Sequence, residues 1–249
     1  MEFGPLTPGR FVRRLNRFAA LVEVGRRRVP AHVANSGRLR ELLVPGYRVY
    51  LRPVGRAGRR CPYDLALVRA RATLVSADAR LPNALLAEGL AEGRIAALRG
   101  FPRARREVRH GGSRLDFVLE RPGARCLVEA KSVTLVEGGV ALFPDAPTAR
   151  GRRHVEALAR AVRRGSPPGR RDRPPSGPAR RKRQTTEAAV VFVVQRDDAR
   201  RFRPHGVADP ALARALARAA RAGVRILAYR CRVRRKGITL ADPIPVDLN

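Results

Sequence analysis

From Phe11 to about Asp78 the apolar positions come in short runs, "FAALVEV", "VPAHVANSG", "YRVYLRPV" and "CPYDLALVRARATLVS", broken by Gly, Pro and Asn. Runs this short and this regularly interrupted predict strands that close on one another. A segment of this size suits an OB-like, five-stranded Greek-key barrel, with an SH3-like barrel as the open alternative. We therefore assign residues 11–80 to such a barrel and residues 1–10, which carry no pattern, to a flexible tail.

At Leu81 the period changes. In "LPNALLAEGLAEGRIAAL" apolar residues recur at three and four, which predicts a helix over 81–98 with Pro82 in its first turn, and the domain junction is placed there. Strands follow at about 104–110, 114–120, 126–133 and 139–142. "APTARGRRHVEALARAVRR" is a helix whose start is marked by Pro147 and Thr148, with Val155, Leu158 and Val162 on one face. "AAVVFVVQ" is apolar throughout, as a central strand covered on both faces must be. "DPALARALARAARAG" has Asp209 as N-cap, Pro210 at its first position and Gly223 as its stop, and "VRILAYRCRV" is a further strand. The second domain, residues 81–249, is thus an α/β unit behind a β-barrel. Within it, residues 165–187 are rich in Pro, Gly, Ser and Arg and almost bare of apolar side chains. That composition predicts a disordered basic insertion, either a phosphate-gripping arm or a tolerated surface loop.

The chain has 249 residues and 44% hydrophobic content, enough to bury a core, yet it carries 53 Lys+Arg against 21 Asp+Glu, a formal charge of +32. An Arg-rich genome swaps Arg for Lys but does not set so large a sum. The balance therefore points to a polyanion: DNA first, RNA as the other class. The three cysteines, Cys61, Cys126 and Cys231, are too scattered for a zinc set, and Cys126 reads as a core residue. With neither a signal-like stretch nor an apolar run long enough to span a bilayer, the expectation is a cytoplasmic protein with no membrane partner.

Charge placement then singles out "SRLDFVLERPGARCLVEAKSVTL", 113–135, read as two strands and a short turn. Strand alternation sends Glu129 and Lys131 to one face and Ala130 to the other. If the strands pair antiparallel, Asp116 lies beside Glu129. Two adjacent carboxylates repel unless a cation joins them, and Mg²⁺ or Mn²⁺ is suited to two carboxylates and a backbone carbonyl. The candidate metal ligands are Asp116 and Glu129. Lys131 would orient a water or offset charge on a phosphate, so Asp116, Glu129 and Lys131 are the candidate catalytic set. A salt-bridged strand edge is the plain alternative. Glu88 and Glu107 are secondary carboxylates.

This D…ExK spacing resembles the active-site motif of the PD-(D/E)xK nucleases, with Leu115 standing where Pro is common. The longer stretches "HVANSGRLRELLVPG", "PYDLALV", "LPNALL", "GSRLDFVL", "LVEAKSVTLVEGGVALFPDAPTARGRRHVEAL" and "VVFVVQRDDARRFRP" resemble the sugar fermentation stimulation protein A family along almost the whole chain. That resemblance implies an N-terminal OB-like domain, a PD-(D/E)xK nuclease-like α/β domain, DNA binding, and a link by name to sugar metabolism. It supports DNA association more firmly than turnover, and a non-catalytic DNA-binding regulator that keeps the nuclease-like fold stays open beside a phosphodiester-cleaving enzyme.

Nucleic-acid contacts are expected from Arg13, Asn16, Arg17, Asn35 and Arg38 on the barrel, and from Arg150, Arg152 and Arg153 at the start of the helix after the hairpin. Tyr47, Tyr50 and Tyr63 could stack bases or fill the core. His154 is expected to be an ordinary helix histidine and Asp145 the acid that caps that helix. Nuclease-type domains often act on duplexes in pairs, which leaves a homodimer open with no interface legible.

Overall fold

The computed structural model describes residues 1–55, 58–110, 113–165 and 184–248. Strands β1 (Thr7–Asn16), β2 (Ala19–Val24), β3 (Arg27–His32), β4 (Arg48–Pro53) and β5 (Tyr63–Ala70) form antiparallel pairs in the order β3-β2-β1-β4-β5. A short parallel pairing of β3 with β5, Ala31↔Tyr63 and His32↔Asp64, closes the five into a barrel, and β6 (Thr73–Ser76) extends β5. Its interior is filled by Phe11, Val22, Leu51, Leu65 and Val68 from the strands and by Leu42 from the β3–β4 connection.

Residues 1–10 are not a loose tail. Thr7 already opens β1, the Phe3 N–H donates to the Lys236 carbonyl at 3.0 Å, and the Phe3 ring is buried against the second domain. One large apolar residue suffices to dock a terminus whose backbone also finds a partner.

Helix α1 (Leu81–Ala91) is shorter than the period predicts. Gly93 at φ +64° ends it, and the chain resumes only as a single 3₁₀ turn at Ala96–Leu98. Next come β7 (Arg103–His110), β8 (Ser113–Arg121), β9 (Ala124–Val133), the short β10 (Val136–Glu137) and β11 (Val140–Phe143), then α2 (Ala149–Gly165). They are followed by β12 (Thr185–Val194), β13 (Arg201–Pro204), α3 (Pro210–Arg221), β14 (Val224–Val233) and β15 (Ile238–Pro243). Gly165 closes α2 and Thr185–Glu187 open β12, which trims the proposed basic insertion at both ends; residues 166–183 lie outside the described residues.

The main sheet runs β15-β14-β12-β9-β8-β7. Its centre is parallel, β9–β12–β14, and its flanks are antiparallel. One face of β12, Val190, Phe192 and Val194, packs under α2 and α3. The other, Ala189, Val191 and Val193, packs against α1 and the barrel residues Tyr50 and Leu67. This double covering is why β12 reads as an unbroken apolar run. Phe192 stacks on Phe202 of β13 at 4.1 Å between centroids, fastening the small β10-β11-β13 sheet beside α2. Cys126 and Cys231 are buried free thiols, and burial pushes Cys126 up to about 11. No helix among the described residues is long and apolar enough to cross a membrane.

Candidate active site

Antiparallel pairing of β8 with β9 stops, toward the site, at Phe117↔Val128, whereas β9 stays paired to β12 as far as Val133. Beyond that point the Asp116 side chain replaces the backbone partner. Its Oδ2 accepts from Ala130 N at 2.8 Å, and its Oδ1 accepts from Asn83 Nδ2 at 2.8 Å. On the other side of β8 the register with β7 is unbroken, but the Glu107↔Asp116 pair is missing from it, with Glu107 at φ +55°. The sheet thus parts at Asp116, and a cleft opens beside β9.

Alternation along β9 places Cys126, Val128 and Ala130 toward α1 and Leu127 and Val133 toward α2. Glu129 and Lys131 share the α2 side. Glu129 is 3% exposed, and its Oε1 accepts from Lys131 Nζ at 2.5 Å and lies 2.5 Å from His154 Nδ1. Its Oε2 is buried and has no hydrogen-bond partner among the described residues. Burial, and then the neighbouring Glu129 carboxylate, raise the Asp116 acid above its ordinary range, against the opposing bonds from Ala130 and Asn83. These groups line a pocket of about 260 Å³ together with Arg80, Thr148 and Arg150.

His154 is therefore no ordinary helix histidine: it stands on the carboxylate that β9 presents. The sequence does hold a signal for it, since Arg150 and His154 lie one turn apart on the same face of α2. Asn83 and Arg80 carry no such signal: Asn83 meets Asp116 across 33 residues, and the spacing of Arg80 to its partner Asp78 says nothing of the pocket. Asp145 does not cap α2. Thr148 does, its Oγ1 accepting from Gly151 N at 3.1 Å, while Asp145 Oδ2 reaches back to accept from Leu39 N on the barrel at 3.1 Å.

The barrel candidates fall in one region. Arg14 ties the end of β1 to the 35–38 turn by donating to the carbonyls of Gly37 at 2.9 Å and Arg38 at 2.7 Å. Around it Arg13, Arg17 and Arg38 are exposed. Asn16 Oδ1 and Asn35 Oδ1 are engaged in local turns, accepting from Phe18 N at 2.8 Å and Gly37 N at 2.9 Å. Through Asp145 this loop is joined to the segment that leads into α2. Of the three candidate arginines on α2 only Arg150 lines the pocket; Arg152 faces Glu156 at 4.0 Å, and Arg153 is exposed. Tyr50 is buried in the core, so it cannot stack a base; Tyr63 is partly buried against the barrel core and Tyr47 borders a different cavity. Glu88 lies 3.2 Å from the Met1 amino nitrogen, and Glu107 pairs with Arg114 on the surface, so neither secondary carboxylate reaches the pocket.

Comparison with known proteins places this geometry. A model described as the SfsA N-terminal OB domain matches residues 12–77, and one described as the sugar fermentation stimulation protein RE domain matches residues 80–169 and 179–237. The chain belongs to the sugar fermentation stimulation protein family. A homolog from Desulforamulus reducens is 41% identical over 96% of this chain and 91% of its own length, and one from Moorella thermoacetica is 42% identical over 96% and 95%. Among solved structures, that of Pyrococcus furiosus SfsA in complex with Ca²⁺ superposes with a TM-score of 0.83 at 31% identity, covering 99% of this chain and 98% of that one. The family match confirms the expected order of domains in outline, an OB barrel followed by an α/β domain.

Proposed function

We propose that this family member binds DNA and that its Asp116–Glu129 pair is a divalent-metal site of nuclease type, serving phosphodiester hydrolysis. The observation that carries the reading is Glu129 Oε2. A carboxylate oxygen buried without a donor is costly, by about 1–3 kcal/mol or more for a charged group, unless something absent from the chain satisfies it. Beside it stands a second carboxylate, Asp116. Among the described residues no three His, Cys, Asp or Glu side chains cluster to complete a cation site. An ion held here would draw on two carboxylates, a main-chain carbonyl and water, the habit of Mg²⁺ and Mn²⁺. The Ca²⁺ in the Pyrococcus relative supports an oxygen-liganded cation in this fold.

Such an ion, when bound, polarises the phosphodiester. The rest belongs to the chain. Lys131 and His154 hold Glu129 by Oε1, leaving the buried Oε2 without a partner among the described residues. Asn83 and the Ala130 N–H fix Asp116 by one bond to each oxygen. Arg150 supplies positive charge at the mouth, and the net charge of +32 draws in the polyanion. RNA is the competing substrate class for an OB-like barrel.

The test is cleavage of single-stranded, duplex and branched DNA and of RNA with Mg²⁺ or Mn²⁺. Wild type is expected to cut and Asp116→Ala to lose at least 100-fold, on the order of one transition-state contact. Equal residual cutting by both proteins, with salt-sensitive binding retained, would leave a non-cleaving DNA-binding regulator.

A further inference from the structure

Arg80 occupies the junction between barrel and α1, and the sequence gives it no special mark. Its Nε donates to Asp78 Oδ1 at 2.8 Å and its Nη2 to Asp78 Oδ2 at 2.6 Å, a two-pronged pair, while Nη2 also donates to Asp64 Oδ2 at 2.8 Å. Asp64 and Asp78 are themselves buried. Asp64 further accepts from Arg52 Nη2 at 3.0 Å and Arg59 Nη2 at 2.8 Å. Burial alone would raise the Asp64 acid; the three guanidiniums overcome that and hold it well below the usual carboxylate range.

A network that served only to seal the domain junction would end inside the protein. This one does not. The Arg80 side chain is 50% exposed and lines the same pocket as Asp116, Glu129 and Lys131. Three of its five N–H donors are committed to the buried acids, and Nη1 makes no bond among the described residues. The other cations of the pocket are differently placed. Lys131 is engaged by Glu129, and Arg150 stands on α2, across the sheet from α1. Arg80 is thus a guanidinium fixed on one edge and open on the other. The free Nη1 amino group can donate a charge-assisted hydrogen bond to a phosphate oxygen, and fixing the guanidinium beforehand removes the entropy that a free surface arginine loses on binding.

We propose that Arg80 is a phosphate-binding residue of the substrate site, its Nη1 edge taking a backbone phosphate of the nucleic-acid strand that enters the pocket, with Asp64 and Asp78 as the residues that position it. This deepens the nucleic-acid reading and rests on it. A fluorescent single-stranded and a duplex DNA oligonucleotide are titrated with the full chain in Ca²⁺ over a range of salt, and Mn²⁺ affinity is measured separately by calorimetry. For Arg80→Ala we expect binding about tenfold weaker regardless of sequence, and a slope of log affinity against log salt smaller by about one. Arg80→Lys keeps the charge but cannot span the acids and a phosphate, so it should recover less than half of the lost affinity. Mn²⁺ affinity should stay within twofold in both. Should Arg80→Ala not fold, Asp78→Ala/Arg80→Ala removes the pair together and leaves Asp64 its Arg52 and Arg59 partners, and the same loss of affinity and slope is expected. Oligonucleotide affinity and salt slope equal to wild type in these variants would overturn the role of Arg80 alone. Absence of oligonucleotide binding by wild type, with Mn²⁺ binding intact, would overturn the nucleic-acid reading and this inference with it.

Discussion

Glu129→Gln isolates what the orphaned oxygen does. Gln has the same shape and keeps one carbonyl oxygen to accept from Lys131 and His154, the two groups 2.5 Å from Glu129 Oε1. The other oxygen becomes an amide nitrogen, uncharged and unable to bind a cation. Without divalent ions the exchange also takes the charge from the buried Glu129–Lys131 pair, a loss on the order of 3–5 kcal/mol, so each protein is compared with itself with and without ions. With an ion at a hundred times its Kd, wild type gains about 2.7 kcal/mol from binding to the folded state alone. In a chain of 249 residues that corresponds to a rise in Tm of about 5–11 °C, at about 2–4 °C per kcal/mol. Glu129→Gln should rise by less than about 2 °C, since a neutral amide contributes little to an oxygen site built on charge. Thermal unfolding followed by dye fluorescence, titrated with Mn²⁺, Mg²⁺ and Ca²⁺ at pH 7, reads both halves. A Glu129→Gln protein that shifts as far as wild type, or a wild type that does not shift with any of the three ions, refutes the assignment of Oε2.

Two further outcomes follow from the same geometry. His154→Ala should weaken Mn²⁺ binding about tenfold by freeing Glu129 to rotate, and His154→Asn, whose amide can replace Nδ1, should restore part of it; calorimetry gives both numbers. Asp64, held ionised below its unfolded value, stabilises the fold fully above about pH 4 to 5 and loses that contribution as pH falls through its depressed folded value. Asp64→Asn should therefore be less stable than wild type at pH 7, by about 1–3 kcal/mol once solvation of the half-exposed arginines is allowed for, with the gap narrowing toward pH 3 in urea titrations. A gap that widens on acidification would show that the acid is not held in its ionised form.

The sequence by itself determined most of the elements and the order of the domains. Helix α3 was legible because its cap, its first proline and its stop are local, and Asp209 indeed accepts from Leu212 N at 2.9 Å. β12 was legible because a strand covered on both faces must be apolar at every position. The hairpin that carries Asp116, Glu129 and Lys131 was legible because a two-residue alternation fixes which side chains share a face. Local patterns failed where the partner is remote. Phe3 looks like part of a tail until the second domain stands beside it, and the helix predicted through Leu98 yields at Gly93 to a left-handed turn. β13, Arg-Phe-Arg-Pro, and β15, which ends in Ala-Asp-Pro, carry too little apolar pattern to announce themselves and are strands as partners of β11 and β14.

The site shows the same division. Residue types and spacing fixed which carboxylates could meet, but not that β8 parts from β9 at Asp116, nor that α2 brings His154 onto Glu129 and the domain junction brings Arg80 into the same pocket. Asp116 and Ala130 are 14 residues apart and Glu129 and His154 are 25 apart, while Arg80 is held by a buried network at the junction. Chain-local periodicity carries no information about such distances. They are decided when the barrel, the sheet and the two helices bury their apolar faces against one another, and the charged groups at the edges must then find partners in the geometry that remains.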